Sequence, residues 1–166
     1  KIASNYLYVN GKKNTLSQVT YSVTGVLERV YSILYHADGS MPNITTDYSY
    51  VSGVKTGVLQ LTYDGSGRIT RNFRVTYGAN GTTPATSVEY RYVNGVRTMY
   101  NYATYDTAGV TTRYYTVTYH PDGTQVKIAS NYLYVSGKKN TLSQVTYSAT
   151  GMLERVYYIT YHADGS

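Results

Sequence analysis

Polar and apolar side chains alternate along much of the chain. In the segment 69–77 the apolar positions lie two or four residues apart, at Ile69, Phe73, Val75 and Tyr77. This alternation is typical of a β-strand, because successive side chains of a strand point to opposite faces. No window has a convincing helical period, and the abundance of Val, Thr and Tyr also favours strands. The pattern therefore predicts an all-β chain.

Short turn signals separate the alternating segments. They are Asn-Gly or Asp-Gly pairs, at Asn10–Gly11, Asn80–Gly81, Asn94–Gly95, Asp38–Gly39, Asp122–Gly123 and Asp164–Gly165. Ser-Gly pairs stand at Ser52–Gly53 and Ser136–Gly137. Such pairs supply the positive φ angles that tight hairpin turns need. With a turn about every 14 residues, we expect roughly twelve antiparallel strands joined by short connections.

The chain repeats itself every 42 residues. Three columns of tyrosine keep this step, beginning at Tyr8, Tyr21 and Tyr35 and recurring in each later copy. We therefore predict one repeat array over residues 1–166. Its copies, numbered 1 to 4 below, are 1–40, 41–82, 83–124 and 125–166.

Copies 1 and 4 are nearly identical, whereas copies 2 and 3 have diverged. The segments 1–40 and 127–166 differ at five positions, namely Asn10/Ser136, Val23/Ala149, Val26/Met152, Ser32/Tyr158 and Leu34/Thr160. Near-identity at three times the basic step suggests recent duplication of a three-copy block. We therefore expect the parent protein to be a longer array.

This organisation predicts a specific architecture. We expect tandem 42-residue repeats of about three antiparallel strands each, in an extended or spiralled β-meander ribbon. The alternative is a four-bladed, propeller-like closed array, although a blade usually has a fourth strand. Some strands carry tyrosine at adjacent positions, as at Tyr114 and Tyr115. Both faces are then aromatic, so we expect a sheet with no fully wet face, or one whose second face packs on a neighbour.

Tyrosine dominates the composition. The chain has 23 Tyr and one Phe, with no Trp and no Cys. A tyrosine ring can bury about 150–250 Å² and still offer its hydroxyl to water, which suits a thin sheet better than a thick aliphatic core. The absence of Cys excludes disulfides, thiolate catalysis and Cys-based metal sites.

The charge pattern points to a general preference for anionic surfaces. The net charge is +6, and the charges are scattered without a basic tail. Such a surface favours anionic partners in a general way, namely acidic polysaccharide, teichoic acid, a membrane surface or nucleic acid, and predicts no specific nucleic-acid partner. No apolar run approaches the length of a membrane span.

One segment carries a family resemblance. Residues Tyr63–Thr70 read YDGSGRIT, which resembles the YD repeat of Rhs-type bacterial surface and toxin proteins. That pattern is Tyr-Asp, two free residues, Gly-Arg and an aliphatic residue. Tyr105–Gly109 repeats it with Val110 in place of Arg, and 21–25 and 147–151 keep Tyr and Gly but lose Asp.

The resemblance implies a long antiparallel ribbon at the cell surface or in secreted machinery. The family's roles are scaffolding, encapsulation and adhesion, and carbohydrate binding has been suggested. The 42-residue period is more regular than in typical YD repeats, and the sequence has no toxin domain. These departures put a closed, toxin-encapsulating shell in doubt.

We find no catalytic constellation. Most of the nine acidic residues recur at equivalent turn or strand positions, whereas a catalytic pair would be expected once, in a cleft. His36, His120 and His162 each precede an Asp by two residues. One His and one carboxylate fall short of a zinc site, so we interpret them as strand-end residues beside turns. We therefore expect no enzymatic activity, no cofactor and no metal.

Tyrosine interspersed with arginine can stack on sugar rings or on nucleic-acid bases. The sugar case fits a secreted repeat array better, because weak sites gain through multivalency. Tyrosine is densest near charge at Tyr90, Arg91, Tyr92, Tyr100 and Tyr102, which we predict as candidates for ligand stacking. The competing interpretation is that these tyrosines form structural rows that hold the sheet together.

The sequence favours a structural and adhesive repeat segment of a long bacterial extracellular surface protein or fibre. Its strand edges would dock onto identical copies, which makes self-assembly into filaments an expectation. The alternative is a carbohydrate-binding, lectin-like repeat module. That alternative predicts partly exposed clusters of Tyr with Asp or Asn in pockets, one in each copy.

Overall fold

The computed structural model describes residues Lys1–Ser166 and consists of twelve β-strands without a helix. The strands are β1 (Ile2–Val9), β2 (Lys12–Tyr21), β3 (Leu27–Tyr35), β4 (Pro42–Val51), β5 (Val54–Tyr63), β6 (Ile69–Tyr77), β7 (Pro84–Val93), β8 (Val96–Tyr105), β9 (Thr111–Tyr119), β10 (Val126–Val135), β11 (Lys138–Tyr147) and β12 (Leu153–Thr160). None of the chain forms a helix long and apolar enough to cross a membrane.

The strands follow one another in chain order in a single antiparallel meander sheet. Strands β1 and β12 are its outermost members. The predicted all-β meander, with three strands in each 42-residue step, is confirmed. The closed, propeller-like alternative is wrong, because the first and last strands do not pair and the sheet stays open.

Two-residue turns join the first and second strands of each copy. Both residues of each turn have positive φ, as at Asn10 (50°) and Gly11 (75°). The turns of the other copies are Ser52–Gly53, Asn94–Gly95 and Ser136–Gly137. Their twist matches the right-handed twist of the strands they join. The predicted hairpins at these positions are confirmed.

The Asp-Gly pairs lie in longer loops instead. In the loop 36–41, the amide of Gly39 donates to the carbonyl of His36 at 2.8 Å, and the amide of His36 donates to the carbonyl of Met41 at 3.0 Å. The carboxylate of Asp38 accepts from the amide of Ser40 at 3.1 Å and from its hydroxyl at 2.7 Å. The Asp38 carboxylate thus accepts a hydrogen bond from a backbone amide of the longer loop. A two-residue turn has no such amide.

The sheet has almost no conventional core. Only four apolar residues are buried, namely Val75, Ala103, Val117 and Leu142, and no large side chain is completely inaccessible. Many tyrosines are half-buried. Cross-strand contacts along both faces therefore take the place of a thick aliphatic interior, as the composition predicts.

The chain divides into two compact units of six strands each. Unit 1 is Lys1–Thr82 and unit 2 is Thr83–Ser166. Unit 1 contains copies 1 and 2, and unit 2 contains copies 3 and 4.

In unit 1, the second copy is turned over relative to the first. Strand pairing places Thr15, Leu34, Ile44 and Thr62 on one face. Thr62 is the counterpart of Thr20 one copy earlier. Thr20 lies five residues from Thr15 on a regular stretch of β2, so it points to the opposite face. Equivalent side chains of copies 1 and 2 therefore occupy opposite faces.

Unit 2 has the same relationship. Met99, Thr118, Ile128 and Thr146 share a face, whereas Thr104, the counterpart of Thr146, points to the other. The cause is the register of pairing. On β8, Met99 takes its place in this row through its pairing with β9, whereas Thr104 pairs with β7 as Thr146 pairs with β10. The two residues lie five apart, an odd number, so they point to opposite faces. Each unit consequently presents the same kinds of side chain on both faces, which explains the absence of a wet face.

Candidate functional site

Each copy places a cation beside the tyrosine that ends or follows its third strand. The pairs and their distances from cationic atom to ring centre are Lys13–Tyr35 at 5.9 Å, Lys55–Tyr77 at 4.0 Å, Arg97–Tyr119 at 4.1 Å and Lys139–Tyr161 at 5.7 Å. The cation lies near the start of the second strand and the tyrosine at the end of the third, so antiparallel pairing brings them together. The Nε of Arg97 is buried without a hydrogen-bond partner. The face of the Tyr119 ring is thus a principal stabilising contact for this guanidinium.

A second cation recurs within the third strand, two residues before an aromatic ring. The pairs are Arg29–Tyr31 at 5.0 Å, Arg71–Phe73 at 4.5 Å, Arg113–Tyr115 at 6.0 Å and Arg155–Tyr157 at 5.1 Å. We call the two pairs of one copy together its cation–aromatic group. Sequence reasoning missed this group, although the signal was available because the 42-residue step keeps a cation in both columns.

The cation–aromatic groups of a unit face opposite ways. In copy 1, Tyr6 and Tyr8 share a face with Lys13, and through Leu16 and Ile33 with the third strand. In copy 2, the counterpart Tyr48 is paired with Val30, which points to the other face. Each unit therefore carries one group on each side.

The predicted stacking residues fall into two sets. Tyr90 lies directly opposite Tyr100, with ring centres 5.0 Å apart, and Tyr92 and Tyr102 share their face. Arg91 points to the other face, where its Nε donates to the carboxylate of Glu89 at 3.0 Å. The structure thus brings the four tyrosines together and separates Arg91 from them.

Two further tyrosines and a different cation complete this surface. The Tyr115 ring lies 6.2 Å from that of Tyr100, edge to face, and Tyr119 lies under Arg97. We call these six tyrosines with Arg97 the tyrosine face. Burial raises the pKa of Tyr100 and of Tyr119 above the ordinary value, so both stay neutral in mildly alkaline solution. A half-buried aromatic platform with one cation can stack on planar or sugar ligands.

A depression of about 420 Å³ lies on the opposite side of β9 from the tyrosine face. It is lined by Val110, Thr111, Tyr114, Tyr134 and Gly137. Tyr114 pairs with Tyr132, with ring centres 6.3 Å apart. Burial raises the pKa of both Tyr114 and Tyr134. The stacking residues predicted from the sequence did not include Tyr114, Tyr132 or Tyr134.

A depression of about 340 Å³ in unit 1 surrounds Gly57. Its lining includes Asp47, Ser49, Thr56, Arg74 and Thr76. The other copies carry Thr15, Met99 or Thr141 at the position of Gly57. The depression exists because Gly57 interrupts a row of side chains.

Two basic clefts of matching composition lie at strand ends. One, of about 260 Å³, includes Lys12, Lys13 and His36, and the other, of about 270 Å³, includes Lys138, Lys139 and His162. These histidines follow β3 and β12, as the sequence interpretation expects. The Nε2 of His36 lies 3.2 Å from the carbonyl oxygen of Asp64 in the next loop. No group of three or more His, Asp or Glu side chains is arranged to hold a metal ion.

The outermost strands expose both backbone and large apolar side chains. Every residue of β1 is exposed, including Ile2 at 67% and Tyr6 at 53%. On β12, Val156 is 66% exposed and Tyr158 is 65% exposed. Unpaired strand edges with apolar flanks are templates for pairing with another strand.

Comparison with known proteins identifies no family. No family model matches the chain. No curated protein matches it either. Among solved structures, a protein of unknown function from Bacteroides fragilis aligns with 96% of this chain and 92% of its own length, at 8% identity and a TM-score of 0.19.

Proposed function

We propose that this chain is a structural and adhesive repeat segment of a bacterial extracellular surface protein or fibre. The main support is that cation–aromatic groups recur in all four copies and alternate between the faces of each unit. Weak contacts repeated along a sheet add up through multivalency, whereas a catalytic site needs one constellation. The degenerate YD-type motif of Tyr63–Thr70 agrees with a cell-surface location.

Self-association belongs to this proposal. The exposed apolar side chains of β1 and β12 flank unpaired backbone, and a matching strand would cover them. The other partner that this surface suits is an acidic polysaccharide, because the net charge is +6 and the recurring cations lie beside rings.

Electron microscopy across a range of concentrations, with sedimentation of the same samples, tests this role. Ordered filaments that lengthen with concentration are the expected result. A strictly monomeric particle at every concentration would contradict self-assembly by this segment. A control in about 1 M salt separates strand-edge pairing, which persists, from charge-driven clumping, which salt screens.

A second candidate function is carbohydrate binding, favoured by the depression beneath Tyr114 and Tyr134. Two half-buried rings beside a threonine offer a stacking surface and a hydroxyl to one sugar ring. A glycan-binding screen of the whole chain tests it, with Tyr134→Ala expected to remove binding. Tyr92→Ala is the matched control, since Tyr92 is the counterpart of Tyr134 one copy earlier. Loss of binding in Tyr92→Ala alone would move the site to the tyrosine face.

A further inference from the structure

The two outermost strands, β1 and β12, correspond to the two kinds of strand that pair with each other where one copy meets the next. In this junction between copies, the third strand of one copy pairs with the first strand of the next. It is seen as β3 with β4 in unit 1 and as β9 with β10 in unit 2. Strand β12 is a third strand and β1 is a first strand, and within residues 1–166 neither is paired in this way.

The two internal junctions have the same register. Arg29 lies opposite Ser49 and Leu34 opposite Ile44 in the first. Arg113 lies opposite Leu133 and Thr118 opposite Ile128 in the second, at the counterpart positions. The register is therefore a property of the junction and does not depend on the particular copies.

Strand β1 has the sequence and the inner pairing of a strand that already makes this junction. Its residues IASNYLYV are identical to residues 128–135 of β10. Ile2 pairs with Thr20 as Ile128 pairs with Thr146, and both strands shift register at the same position. The free edge of β1 therefore presents the backbone groups that β10 offers to β9.

Strand β12 is the counterpart of β3 in the same way. Thr160 pairs with Thr141 as Leu34 pairs with Thr15. Val156 stands where Val30 stands in β3, and Val30 lies opposite Tyr48 of β4. The valine–tyrosine contact of the β3–β4 junction is thus available between Val156 and Tyr6.

We infer that one copy of this chain docks its β1 on β12 of another, head to tail, in the register of the internal junctions. This inference rests on the proposed self-assembling role and names its interface. Arg155 then lies opposite Leu7 of the next molecule, Val156 opposite Tyr6, and Tyr158 opposite Ser4. Because β1 and β12 are different surfaces, the contact is heterologous, and each docked molecule leaves one β1 and one β12 open to further molecules.

The side chains at this junction complement each other. The Nε of Arg113 donates to Asn131 at 2.6 Å, and Arg29 donates to Asp47 at the counterpart position. Arg155 and Asn5 occupy these positions in the proposed contact. Main-chain hydrogen bonds supply the affinity of such an added strand, and the side chains supply the register. One strand pair is a small interface, so association increases with concentration.

Disulfide trapping tests the register directly, because the chain has no cysteine of its own. Ser4→Cys with Tyr158→Cys places two thiols directly opposite each other between molecules. Oxidation is expected to give a ladder of dimers, trimers and longer products on a non-reducing gel. Ser4→Cys with Ile159→Cys shifts the pair by one residue to opposite faces and is expected to give no ladder. The internal control is Ser32→Cys with Thr46→Cys, which occupies the same junction position in β3 and β4.

Three results would overturn the inference. The first is a missing ladder for the 4/158 pair although the 32/46 control closes. The second is a stronger ladder for the 4/159 pair. The third is a dimer from Ser4→Cys alone, which would mean that β1 pairs with β1.

The wild-type sample separates failure of this inference from failure of the proposed function. Filaments by sedimentation without the 4/158 ladder would contradict the register and leave self-assembly standing, whereas a monomer at every concentration would contradict both. Val156→Glu is expected to abolish filaments, because a carboxylate opposite Tyr6 replaces the apolar valine–tyrosine contact. Val23→Glu, at a fully exposed position of the loop after β2, is the matched control and is expected to leave them intact.

Discussion

Arg29 on β3 holds Asp47 on β4 by two hydrogen bonds, from Nε at 2.8 Å and from Nη2 at 2.7 Å. At the counterpart position in unit 2, Arg113 holds the amide oxygen of Asn131 by one bond at 2.6 Å. The same cross-strand contact thus exists in a charged and a neutral form. The two forms allow the charge to be separated from the hydrogen bond.

We expect Asp47→Ala to lower the free energy of unfolding by about 0.5–1 kcal/mol, since the pair is partly solvent-exposed. Asp47→Asn should cost less, because an amide still accepts one bond from the arginine. Asn131→Asp should raise stability by completing a two-point pair with Arg113. Urea denaturation of the three variants measures the order. Equal losses for Asp47→Ala and Asp47→Asn, unaffected by about 1 M salt, would contradict it.

Gly57 is expected to be a weak point of β5. A β-carbon there would approach the carbonyl oxygen of Val75 at 3.4 Å, which is an ordinary contact, and the φ of Gly57 is not positive. Gly57→Thr restores the residue found in copies 1 and 4 and should raise the free energy of unfolding by about 1 kcal/mol. Gly53→Thr is the control. Gly53 has φ of 78°, so any side chain at this position should lower the free energy of unfolding. A loss of stability in Gly57→Thr would contradict this prediction and would mean that the fold requires the depression around Gly57.

The two-residue turns allow a reciprocal exchange. Ser52 and Asn94 both adopt φ of 52° before a glycine. Asparagine tolerates this left-handed conformation better than serine. Ser52→Asn should therefore stabilise the fold, and Asn94→Ser should destabilise it by a similar amount of about 0.5 kcal/mol. Thermal unfolding of both variants measures the shift in Tm, and shifts of the same sign would refute this account.

Alkaline pH should destabilise the protein through its half-buried tyrosines. Burial raises the pKa of Tyr100, Tyr114 and Tyr119 above the ordinary value of 10.0, so the folded state favours the neutral phenol. Their contribution to stability is complete below pH 10, the ordinary pKa in the unfolded chain, and is lost as pH rises through the folded pKa. Urea denaturation between about pH 8 and pH 11.5 measures the loss. Tyr100→Phe keeps the ring without the ionisable group and should lose less stability over this range. An equal loss would show that other groups dominate.

The strands and their hairpins could be predicted from local patterns. Alternation predicts strands such as Ile69–Tyr77, and Asn10–Gly11 predicts its turn, because both depend on neighbouring residues only. The basic residues beside the tyrosines were harder to predict. Lys13 and Thr15 lie two residues apart, so simple alternation places them on one face. A register shift beside Tyr8 inserts an extra residue there, and Lys13 instead shares the face of Tyr8.

The candidate stacking group shows a different limit. Because tyrosine and charge cluster in this part of the sequence, the prediction placed Arg91 in one site with Tyr90 and Tyr92. Adjacent residues of a strand point to opposite faces, however, so Arg91 lies on the other side of the sheet. The cation that meets this surface, Arg97, lies on the next strand and reaches it only through pairing with Tyr92. The turned-over relationship of neighbouring copies has the same origin, because it depends on the register in which strands pair. The YD-type resemblance, the extracellular location and the adhesive role remain predictions.

The opposed cation–aromatic groups have a consequence for how a unit would act between two bodies. A unit resting on a flat substrate engages one group and leaves its twin pointing away. Under the proposed adhesive role, the smallest functional element is a two-sided bridge, which would hold a polymer on one side while attached to a wall on the other. A one-faced sheet of the same size would concentrate both contacts on a single substrate and bridge nothing.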